Sequence, residues 1–393
     1  MLNGKRILIG IGGGIAVYKV AELARMLSKA GADVHCVMTR SACEFVTPLT
    51  FEALTGNQVF TELFDLTSER EMGHIALARQ ADALVIAPAT ASLLARIAHG
   101  IADDLLTTIM QVCDKPVLLA PAMNTSMWES EATQRNMTTL EQRGMQTVGP
   151  AKGELACGEQ GPGRLAELDT IYSALLPLVT EQQLHGQRWV INAGPTVESW
   201  DPVRILTNRA SGKLGAMLAD LAAIRGANVS FIAGPGTPDT HPKVKRRDVE
   251  SAEDMFTACE REAAGTDIFI GTAAVSDFRF SEPHAEKLKR GNTSTMHLEL
   301  TANPDIIAHI ATMNARPSKV IAFAAESSNH LEYAKAKLLQ KQVDAIVAND
   351  VSNMSSDSAS GWWVSCNEEQ LMKTGTKIEF AEQIINHITE MHT

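Results

Sequence analysis

Short apolar runs, bounded by glycine or proline, alternate with amphipathic stretches along the chain. In the first half the runs are RILIGIG, DVHCVMT, ADALVIAPA and KPVLLAPAM, and a helix-like stretch follows each of them. The second half repeats the alternation with WVINAG, NVSFIAG, DIFIGTAAV, KVIAFAAE and DAIVAND. Repeated strand and helix patterns predict βαβ units and a parallel sheet. The predicted fold class is therefore α/β, with two doubly wound domains.

A polar segment near residue 180 marks a domain boundary. TEQQLHGQR separates the helix-like DTIYSALLPLV from the strand WVINAG, and a chain of 393 residues favours two domains. We place the domains at 1–185 and 186–393. Within the second domain, Ser251 followed by Asp254 predicts a capping box that opens a helix. The serine-rich SNMSSDSAS, from Ser352 to Ser360, predicts a loop.

Composition and charge narrow the class of protein. A formal net charge of −11 argues against non-specific nucleic-acid binding, which needs a basic surface. The six cysteines form no CxxC pair, so they indicate neither a disulfide framework nor a zinc site, and they fit a reducing cytoplasm. The N-terminal apolar run breaks at glycines and is interpreted as a first strand, not a signal peptide. No apolar run is long enough to span a bilayer.

The loops that follow the predicted strands are the places to look for a binding site, because ligands of open parallel sheets bind beyond the carboxyl ends of the strands. GIGGGI at positions 10–15 follows a strand and precedes a helix, as a phosphate-binding turn does. Ile15 stands where the G-x-G-x-x-G fingerprint requires glycine. The segment therefore predicts either an anion-binding turn or an ordinary tight turn. ASGKLG is not a P-loop, since Leu214 replaces the magnesium-binding Ser or Thr.

Two further residues stand out in loop-like sequence. Asn124, in PAMNTSMW, follows a predicted strand, where its amide can hold a carboxylate or a flavin edge, or can cap a helix. Cys157 lies in ACGEQGPGRL, whose three glycines and one proline predict a mobile segment with neither helix nor regular strand. A lone thiol on such a segment suggests chemistry more than packing.

The order of these motifs carries a family resemblance. GGGIAVYK, MGHIALA, APATASLLARIAHGIADDLL, PAMNTSMW and ACGEQGPGRL together closely resemble the homo-oligomeric flavin-containing cysteine decarboxylases. AGPTVESWDPVRILTNRASGKLG, AAVSDF, KLKR, NPDI, AFAAES and VANDV resemble the phosphopantothenate–cysteine ligase domain. The whole chain resembles the enzymes of coenzyme A biosynthesis that fuse these two activities. The resemblance implies a flavodoxin-like flavin-binding domain followed by a Rossmann-like nucleotide-binding ligase domain.

For the first domain the resemblance implies FMN-dependent oxidative decarboxylation of phosphopantothenoylcysteine to 4'-phosphopantetheine. Oxidation of the CH2–SH group would supply the electron sink that lets carbon dioxide leave. Cys157 matches the family's proton donor, His74 its active-site histidine, and Asn124 the group that holds the substrate carboxylate. The candidate FMN-binding residues, on strand-end loops, are Gly13, Ile15, Thr39, Thr90, Ser92 and Met123.

For the second domain the resemblance implies that 4'-phosphopantothenate reacts with CTP to form an acyl-cytidylate, which L-cysteine then attacks. Asn208 matches the asparagine that holds the acyl-cytidylate, and Arg204 is placed to meet the substrate phosphate. Lys287, a catalytic candidate, and Lys289 would neutralise phosphoryl charge together with Mg²⁺; in isolation, KLKR is equally a solvated basic run. Asp277 is the candidate ligand of nucleotide or metal. The remaining candidates for binding substrate and CTP are Gly271, Thr272, Ala273, Asn303, Pro304, Asp305, Ile306, Phe323, Lys337 and Lys341.

The resemblance also implies a cytoplasmic homo-oligomer, a trimer-based dodecamer with FMN between subunits, whose partners are small molecules and not nucleic acid or membrane. Two other hypotheses belong to different classes. One is a flavin reductase with a nucleotide-binding partner domain, which the broken G-x-G-x-x-G opposes. The other is a non-catalytic regulatory subunit of flavoprotein fold, which the presence of Cys157 opposes.

Overall fold

The computed structural model describes residues 2–63, 74–155, 158–289, 296–326, 330–350 and 358–391, and at residues 74, 325, 326, 330 and 350 it describes the backbone only. The chain divides into two compact units, Met1–Glu181 and Gln182–Thr393. The boundary predicted between residues 185 and 186 lies close to this division and stays a prediction. Each unit is described by itself below.

The first unit contains a parallel sheet, nine helices among its described residues, and one hairpin. In chain order its elements are β1 (Arg6–Ile11), α1 (Val17–Lys29), β2 (Asp33–Met38), α2 (Arg40–Cys43), α3 (Pro48–Thr55), β3 (Val59–Phe60), α4 (His74–Gln80), β4 (Ala83–Ala89), α5 (Ala91–His99), α6 (Leu105–Val112), β5 (Val117–Pro121), α7 (Thr125–Glu129), α8 (Glu131–Gln142), β6 (Gln146–Thr147), β7 (Ala151–Glu154), β8 (Gln160–Arg164) and α9 (Leu168–Val179).

The sheet of the first unit has the order β3-β2-β1-β4-β5-β6, and every pairing in it is parallel. Without the two-residue strand β3, the remaining strands follow the flavodoxin-like order 2-1-3-4-5. Strand β4 is buried at every position, which is typical of a parallel strand with helices on both faces. Helix α1 turns Val20, Leu23 and Leu27 towards the core at helical spacing. The predicted flavodoxin-like fold is confirmed.

The second unit contains a larger sheet, two short ribbons and five helices among its described residues. In chain order its elements are β9 (Arg188–Ala193), β10 (Val197–Ser199), β11 (Ile205–Thr207), α10 (Lys213–Ile224), β12 (Asn228–Ala233), β13 (Lys245–Asp248), α11 (Ala252–Ala263), β14 (Ile268–Gly271), β15 (Phe278–Phe280), β16 (Leu300–Ala302), α12 (Ile306–Thr312), β17 (Lys319–Glu326), α13 (His330–Lys341), β18 (Ala345–Asp350), β19 (Ser358–Ser365), β20 (Glu369–Thr376) and α14 (Lys377–Glu390).

The sheet of the second unit has the order β13-β12-β9-β14-β17-β18-β19-β20. Its first six strands are parallel and follow the Rossmann order 3-2-1-4-5-6. Strands β19 and β20 add an antiparallel edge. Ribbons β10–β11 and β15–β16 are antiparallel and lie outside this sheet. The Rossmann-like prediction is therefore confirmed, with an antiparallel extension that the sequence did not predict.

All nine quoted apolar runs form strands of the two main sheets. The capping box is confirmed, because Ser251 accepts a hydrogen bond from the backbone N–H of Asp254 and the Asp254 side chain accepts one from that of Ser251. Of the predicted serine-rich loop, residues 352–357 lie outside the described residues, and the last three residues begin β19. Among the described residues, no helix has both the length and the apolar character needed to cross a bilayer.

The prediction that ACGEQGPGRL forms no regular strand is wrong. Residues Gln160–Arg164 form β8, which pairs antiparallel with β7. Gly153, at φ 155°, lies opposite Gly161 in this pairing, and Gly163 has φ 145°. Such backbone conformations are open to glycine and rarely to other residues. The glycines that argue against a strand by composition therefore allow an irregular hairpin here.

Candidate functional site

A cavity of about 830 Å³ lies in the first unit beyond the carboxyl ends of β1, β4 and β5. This is the point where the strand order reverses, which is the usual ligand site of a doubly wound sheet. The residues that line it are Gly13, Gly14, Ile15, Ala16, Tyr18, Lys19, Pro88, Thr90, Ala91, Ser92, Ala122, Met123, Asn124, Met127, Glu154, Leu155, Gly163, Arg164 and Leu165.

One side of the cavity suits an anion. The turn at residues 13–16 leads into α1, and Thr90 caps the start of α5 by accepting a hydrogen bond from the backbone N–H of Leu93 at 3.3 Å. Two helix N-termini, with their backbone N–H groups, thus reach the same space, and Lys19 adds a positive charge. A Cβ on Gly13 would lie 2.3 Å from the Cβ of Ser41, so the turn requires glycine there.

Another part of the lining comes from the hairpin β7–β8 and the residues around it, and it includes several apolar side chains. Met123 donates its backbone N–H to the carbonyl oxygen of Gly163 at 2.9 Å. A Cβ on Gly163 would lie 2.3 Å from the carbonyl oxygen of Met123, and one on Gly161 would lie 2.6 Å from Oγ1 of Thr125. The hairpin therefore packs on the loop after β5 through glycine backbone. Met123, Met127, Leu155 and Leu165 are lining side chains that suit a flat aromatic ring, so the cavity fits a flavin nucleotide.

Asn124 both caps a helix and lines the cavity, so the two roles left open by the sequence are compatible. Its Oδ1 accepts a hydrogen bond from the backbone N–H of Ser126 at 2.8 Å, at the start of α7. This bond fixes the amide so that Nδ2 donates to Oε2 of Glu159, on the hairpin side, at 2.6 Å. A carboxylate is therefore the kind of partner to which this amide nitrogen donates.

The cavity brings together most of the predicted FMN-binding residues. Gly13, Ile15, Thr90, Ser92 and Met123 line it together with Asn124. Thr39 is not a lining residue. Its hydroxyl donates to the carbonyl oxygen of Ile11 at 3.1 Å, and its side chain caps α2.

Two predicted catalytic residues cannot be placed in the cavity, and two basic lining residues were not predicted. Cys157 lies outside the described residues, and His74 begins α4 while its side chain lies outside the description. Lys19 and Arg164 line the cavity but were not predicted. Each is a basic residue close after the glycines of a quoted motif, GGGIAVYK or ACGEQGPGRL, and that proximity is the signal that could have found them.

In the second unit, some of the predicted ligase residues lie at the equivalent reversal of strand order, between β9 and β14. Asn208 donates from Nδ2 to the carbonyl oxygens of Ala274 and Val275, at 3.1 Å each. Gly271 ends β14, and Thr272 and Ala273 follow it. The asparagine is thereby tied to the loop that was predicted to line the cytidine pocket.

A buried carboxylate organises the basic residues of the site. Asp201, 2% exposed, accepts hydrogen bonds from the backbone N–H groups of Arg204 at 2.9 Å and Leu288 at 3.2 Å. Burial acts to raise the pKa of Asp201, but these backbone hydrogen bonds outweigh it and hold the pKa below its ordinary value. Arg204 donates from Nη2 to the carbonyl oxygen of Leu288 at 2.7 Å. Arg204, Lys287 and Lys289 therefore form one basic cluster, with both lysines exposed.

Some of the remaining predicted residues form polar contacts, and others are described by their burial or packing. Asn303 donates its backbone N–H to the carbonyl oxygen of Asp277 at 2.8 Å, and Lys341 forms an ion pair with Asp305 at 3.2 Å. The side chain of Ile306 is 3% exposed and belongs to the core. The other members are Pro304, which is half-buried, Phe323, which packs against the core, and Lys337, which is half-buried on α13.

A metal site built by the protein alone is not part of this arrangement. Among the described residues, no group of three or more His, Cys, Asp or Glu side chains could hold a metal ion. Asp277 is exposed and stands outside any such group. Mg²⁺ commonly binds through one or two carboxylates together with substrate phosphates, and Asp277 suits that mode.

Comparison with known proteins matches both halves of the chain. The family model Flavoprotein matches residues 1–180, and the model for the DNA/pantothenate metabolism flavoprotein C-terminal domain matches residues 184–391. The Coenzyme A biosynthesis bifunctional protein CoaBC of Haemophilus influenzae is 44% identical over 397 residues, covering 100% of this chain and 98% of that protein. The chain belongs to this family of bifunctional coenzyme A biosynthesis proteins.

A second relative agrees with that family, and one solved structure is similar to part of the chain. The protein of the same name from Escherichia coli (strain K12) is 44% identical over 354 residues, covering 89% of this chain and 87% of that protein. A solved structure of a PPC decarboxylase mutant complexed with pantothenoylaminoethenethiol is 35% identical, covers 44% of this chain and 96% of that chain, and has a TM-score of 0.39.

Family membership confirms the resemblance on which the sequence analysis depended. The chain is a flavoprotein and a bifunctional enzyme of coenzyme A biosynthesis, with a decarboxylase half and a ligase half. The flavin reductase and the non-catalytic regulatory subunit are not favoured by any of these matches.

Proposed function

We propose that the first unit binds FMN in the cavity beyond β1, β4 and β5 and decarboxylates phosphopantothenoylcysteine there. The observation that supports this proposal is the cavity itself, whose lining contains the glycine turn before α1, Lys19 and several apolar side chains, at the reversal of strand order. FMN, when bound, supplies the oxidation of the CH2–SH group that allows carbon dioxide to leave.

The residues of the first unit take separate roles in this proposal. The backbone of residues 13–16 and Lys19 bind the phosphate of the cofactor. Nδ2 of Asn124, which already donates to a carboxylate, holds the carboxylate of the substrate. His74 acts as its partner or as a base, and Cys157 returns a proton to the decarboxylated product.

The second unit, in the same proposal, joins 4'-phosphopantothenate to L-cysteine with CTP. The basic cluster of Arg204, Lys287 and Lys289 neutralises phosphate groups, because cations aimed at the reacting phosphoryl oxygens stabilise the charge of the transition state. Asn208 positions the acyl-cytidylate. Mg²⁺ binds with the nucleotide phosphates, and Asp277 supplies a carboxylate to it.

Binding of FMN is tested with the purified full chain and two matched variants. Lys19 lines the cavity at the start of α1, whereas Lys29 ends the same helix. We expect Lys19→Ala to raise the Kd for FMN several-fold, because a cation close to the phosphate is lost, and Lys29→Ala to leave it unchanged. Fluorescence titration measures Kd, and mass spectrometry identifies the bound flavin. A protein that is colourless after incubation with excess FMN and removal of the free flavin contradicts the proposal.

We also propose that the enzyme works in the cytoplasm as a trimer-based dodecamer, with FMN between subunits. Exposed apolar side chains support association: Ile15 and Tyr18 at the cavity are 58% and 60% exposed. In the second unit, Val203 and Phe278 are exposed as well. Large apolar side chains at a protein's surface are often covered by a partner when they lie at an interaction site. A monomer in light scattering at micromolar concentration would refute this assembly.

A further inference from the structure

We propose that Asn192 is a positioning residue for the loop that binds the nucleotide in the second unit. The proposal rests on the proposed function, since it takes the loop after β14 to line the CTP site. The Asn192 clamp consists of Asn192, Thr272 and Ala273. Asn192 lies near the carboxyl end of β9, where it pairs with Gly271 of β14.

The clamp continues the contact between β9 and β14 beyond Gly271, where β14 ends. Oδ1 of Asn192 accepts hydrogen bonds from the backbone N–H groups of Thr272 at 3.1 Å and Ala273 at 3.3 Å. The hydroxyl of Thr272 donates back to the carbonyl oxygen of Asn192 at 2.7 Å. Asn192 is 1% exposed, so these bonds are shielded from water. One buried side chain therefore fixes two successive residues of the loop.

The amide is the side chain that this position requires. Because two N–H donors face Oδ1, Nδ2 must point the other way, where it lies 3.5 Å from Sγ of Cys259 on α11. Burial raises the pKa of Cys259 to about 12, so the thiol stays neutral and serves as a weak acceptor. A leucine here would leave the N–H of Ala273 without this acceptor, and the N–H of Thr272 would keep only the backbone carbonyl oxygen of residue 192, at 3.1 Å. An aspartate would bury a negative charge beside a neutral thiol.

The clamp also touches the helix that begins beside the site. A Cβ on Gly215, in the first turn of α10, would lie 2.4 Å from Oγ1 of Thr272 and 2.4 Å from the Cβ of Ala193. The helix therefore packs directly on Thr272 with no side chain between them. If Thr272 moves, the first turn of α10 must move with it. Asn192 thus holds both the loop and the start of this helix without contacting the nucleotide.

Steady-state ligase kinetics of the full chain, with CTP varied and the other substrates saturating, test the proposal. We expect Asn192→Leu to raise KM for CTP about tenfold, because the N–H of Ala273 loses its acceptor, the N–H of Thr272 loses one of two, and the loop shifts. The kcat at saturating CTP should stay close to that of the wild type. Decarboxylation of supplied phosphopantothenoylcysteine should be unchanged.

Cys259→Ala is the matched control. It removes a buried sulfur atom of the core, which is the partner of Nδ2, but it keeps both bonds to Oδ1. Its KM for CTP should remain within about twofold of the wild type, since the loop keeps its acceptor. An unchanged KM in Asn192→Leu, or an equal increase in both variants, overturns the proposal.

A second variant keeps the test decisive if Asn192→Leu does not fold. Thr272→Val keeps the volume of the side chain and removes only its bond to the carbonyl oxygen of Asn192. We expect a several-fold rise in KM for CTP, and a folded Thr272→Val protein with wild-type KM contradicts the clamp. A wild-type enzyme without CTP-dependent ligation would instead overturn the proposed function, and the clamp's role with it.

Discussion

At the residue scale, the site of each unit contains an asparagine whose amide is tied to backbone. Asn124 accepts from Ser126 and directs its nitrogen to a carboxylate. Asn208 donates to the carbonyl oxygens of two successive loop residues. A carboxylate of the same shape cannot donate these hydrogen bonds. The identity of the amide is therefore a direct test of each role.

Asn208→Asp should reduce ligase activity about a hundredfold, because a negative oxygen would face two carbonyl oxygens in place of a donor. Decarboxylation of supplied phosphopantothenoylcysteine should be unaffected, since the cavity lies in the first unit. Asn228→Asp makes the same chemical change at the exposed start of β12 and should leave both activities intact. Separate assays of the two half-reactions provide the measurement, and equal loss of both activities would contradict the assignment.

The sequence located loops better than it located side chains. Strand-end position correctly grouped Ile15, Ser92 and Asn124 around one cavity. The same criterion included Thr39, whose side chain instead caps α2. Position after a strand does not tell which way a side chain points, because that depends on neighbouring elements that are distant in sequence. Asn192 was missed because it lies inside an apolar strand, where this criterion does not look.

At the element scale, the hairpin β7–β8 shows where compositional rules fail. Glycine and proline normally indicate loops, yet Gly161 and Gly163 belong to a paired strand that packs on the loop after β5. Their missing side chains permit the close approach to Thr125 and Met123. The sequence alone could not reveal this packing, because the contact joins the loop after β5 to β8, and α7, α8, β6 and β7 lie between them in the chain.

Gly163→Ala should therefore impair the decarboxylase about a hundredfold, because the added Cβ would strain the backbone and displace the hairpin from the cavity. Gly144→Ala is the matched control: its φ of 86° imposes a comparable backbone strain, but an added Cβ meets nothing within 4 Å. Rates of carbon dioxide release measure the effect. Equal loss of activity in both variants would show that hairpin contact is not the cause.

Helix α6 depends on the capping box that Asp104 forms with Thr107, and Asp104 also accepts a bond from Arg96 at 2.6 Å. Burial acts to raise the pKa of Asp104, but hydrogen bonds from Thr107 and Arg96 outweigh it and lower the pKa. The stabilisation is therefore complete above the ordinary carboxyl pKa and is lost as pH falls through the lowered value.

Asp104→Ala should lower the free energy of unfolding of α6 by about 1–2 kcal/mol at pH 7, through loss of the cap. The difference from wild type should shrink at strongly acidic pH, where the native carboxylate is protonated. Asp103→Ala, at the more exposed partner of Arg96, should cost less. Hydrogen exchange at the amides of α6 measures these differences, and a pH-independent effect would contradict the role of the charge.

At the scale of the whole molecule, two doubly wound sheets each place a site at the reversal of strand order. The alternation of apolar and amphipathic segments predicted both sheets, because buried parallel strands read as continuous apolar runs. It did not predict the edge strands or ribbons, whose residues alternate or are exposed. Each unit has its own core and its own candidate ligands, so the two activities should be separable by mutation.

The central claim is that one chain carries out both reactions in sequence. The most direct test incubates the purified full chain anaerobically with 4'-phosphopantothenate, L-cysteine, CTP, Mg²⁺ and FMN, and follows the products by mass spectrometry. The account predicts 4'-phosphopantetheine, with phosphopantothenoylcysteine as the intermediate, and neither compound when CTP is omitted. Absence of both compounds from the complete mixture, with the flavin bound, would contradict it.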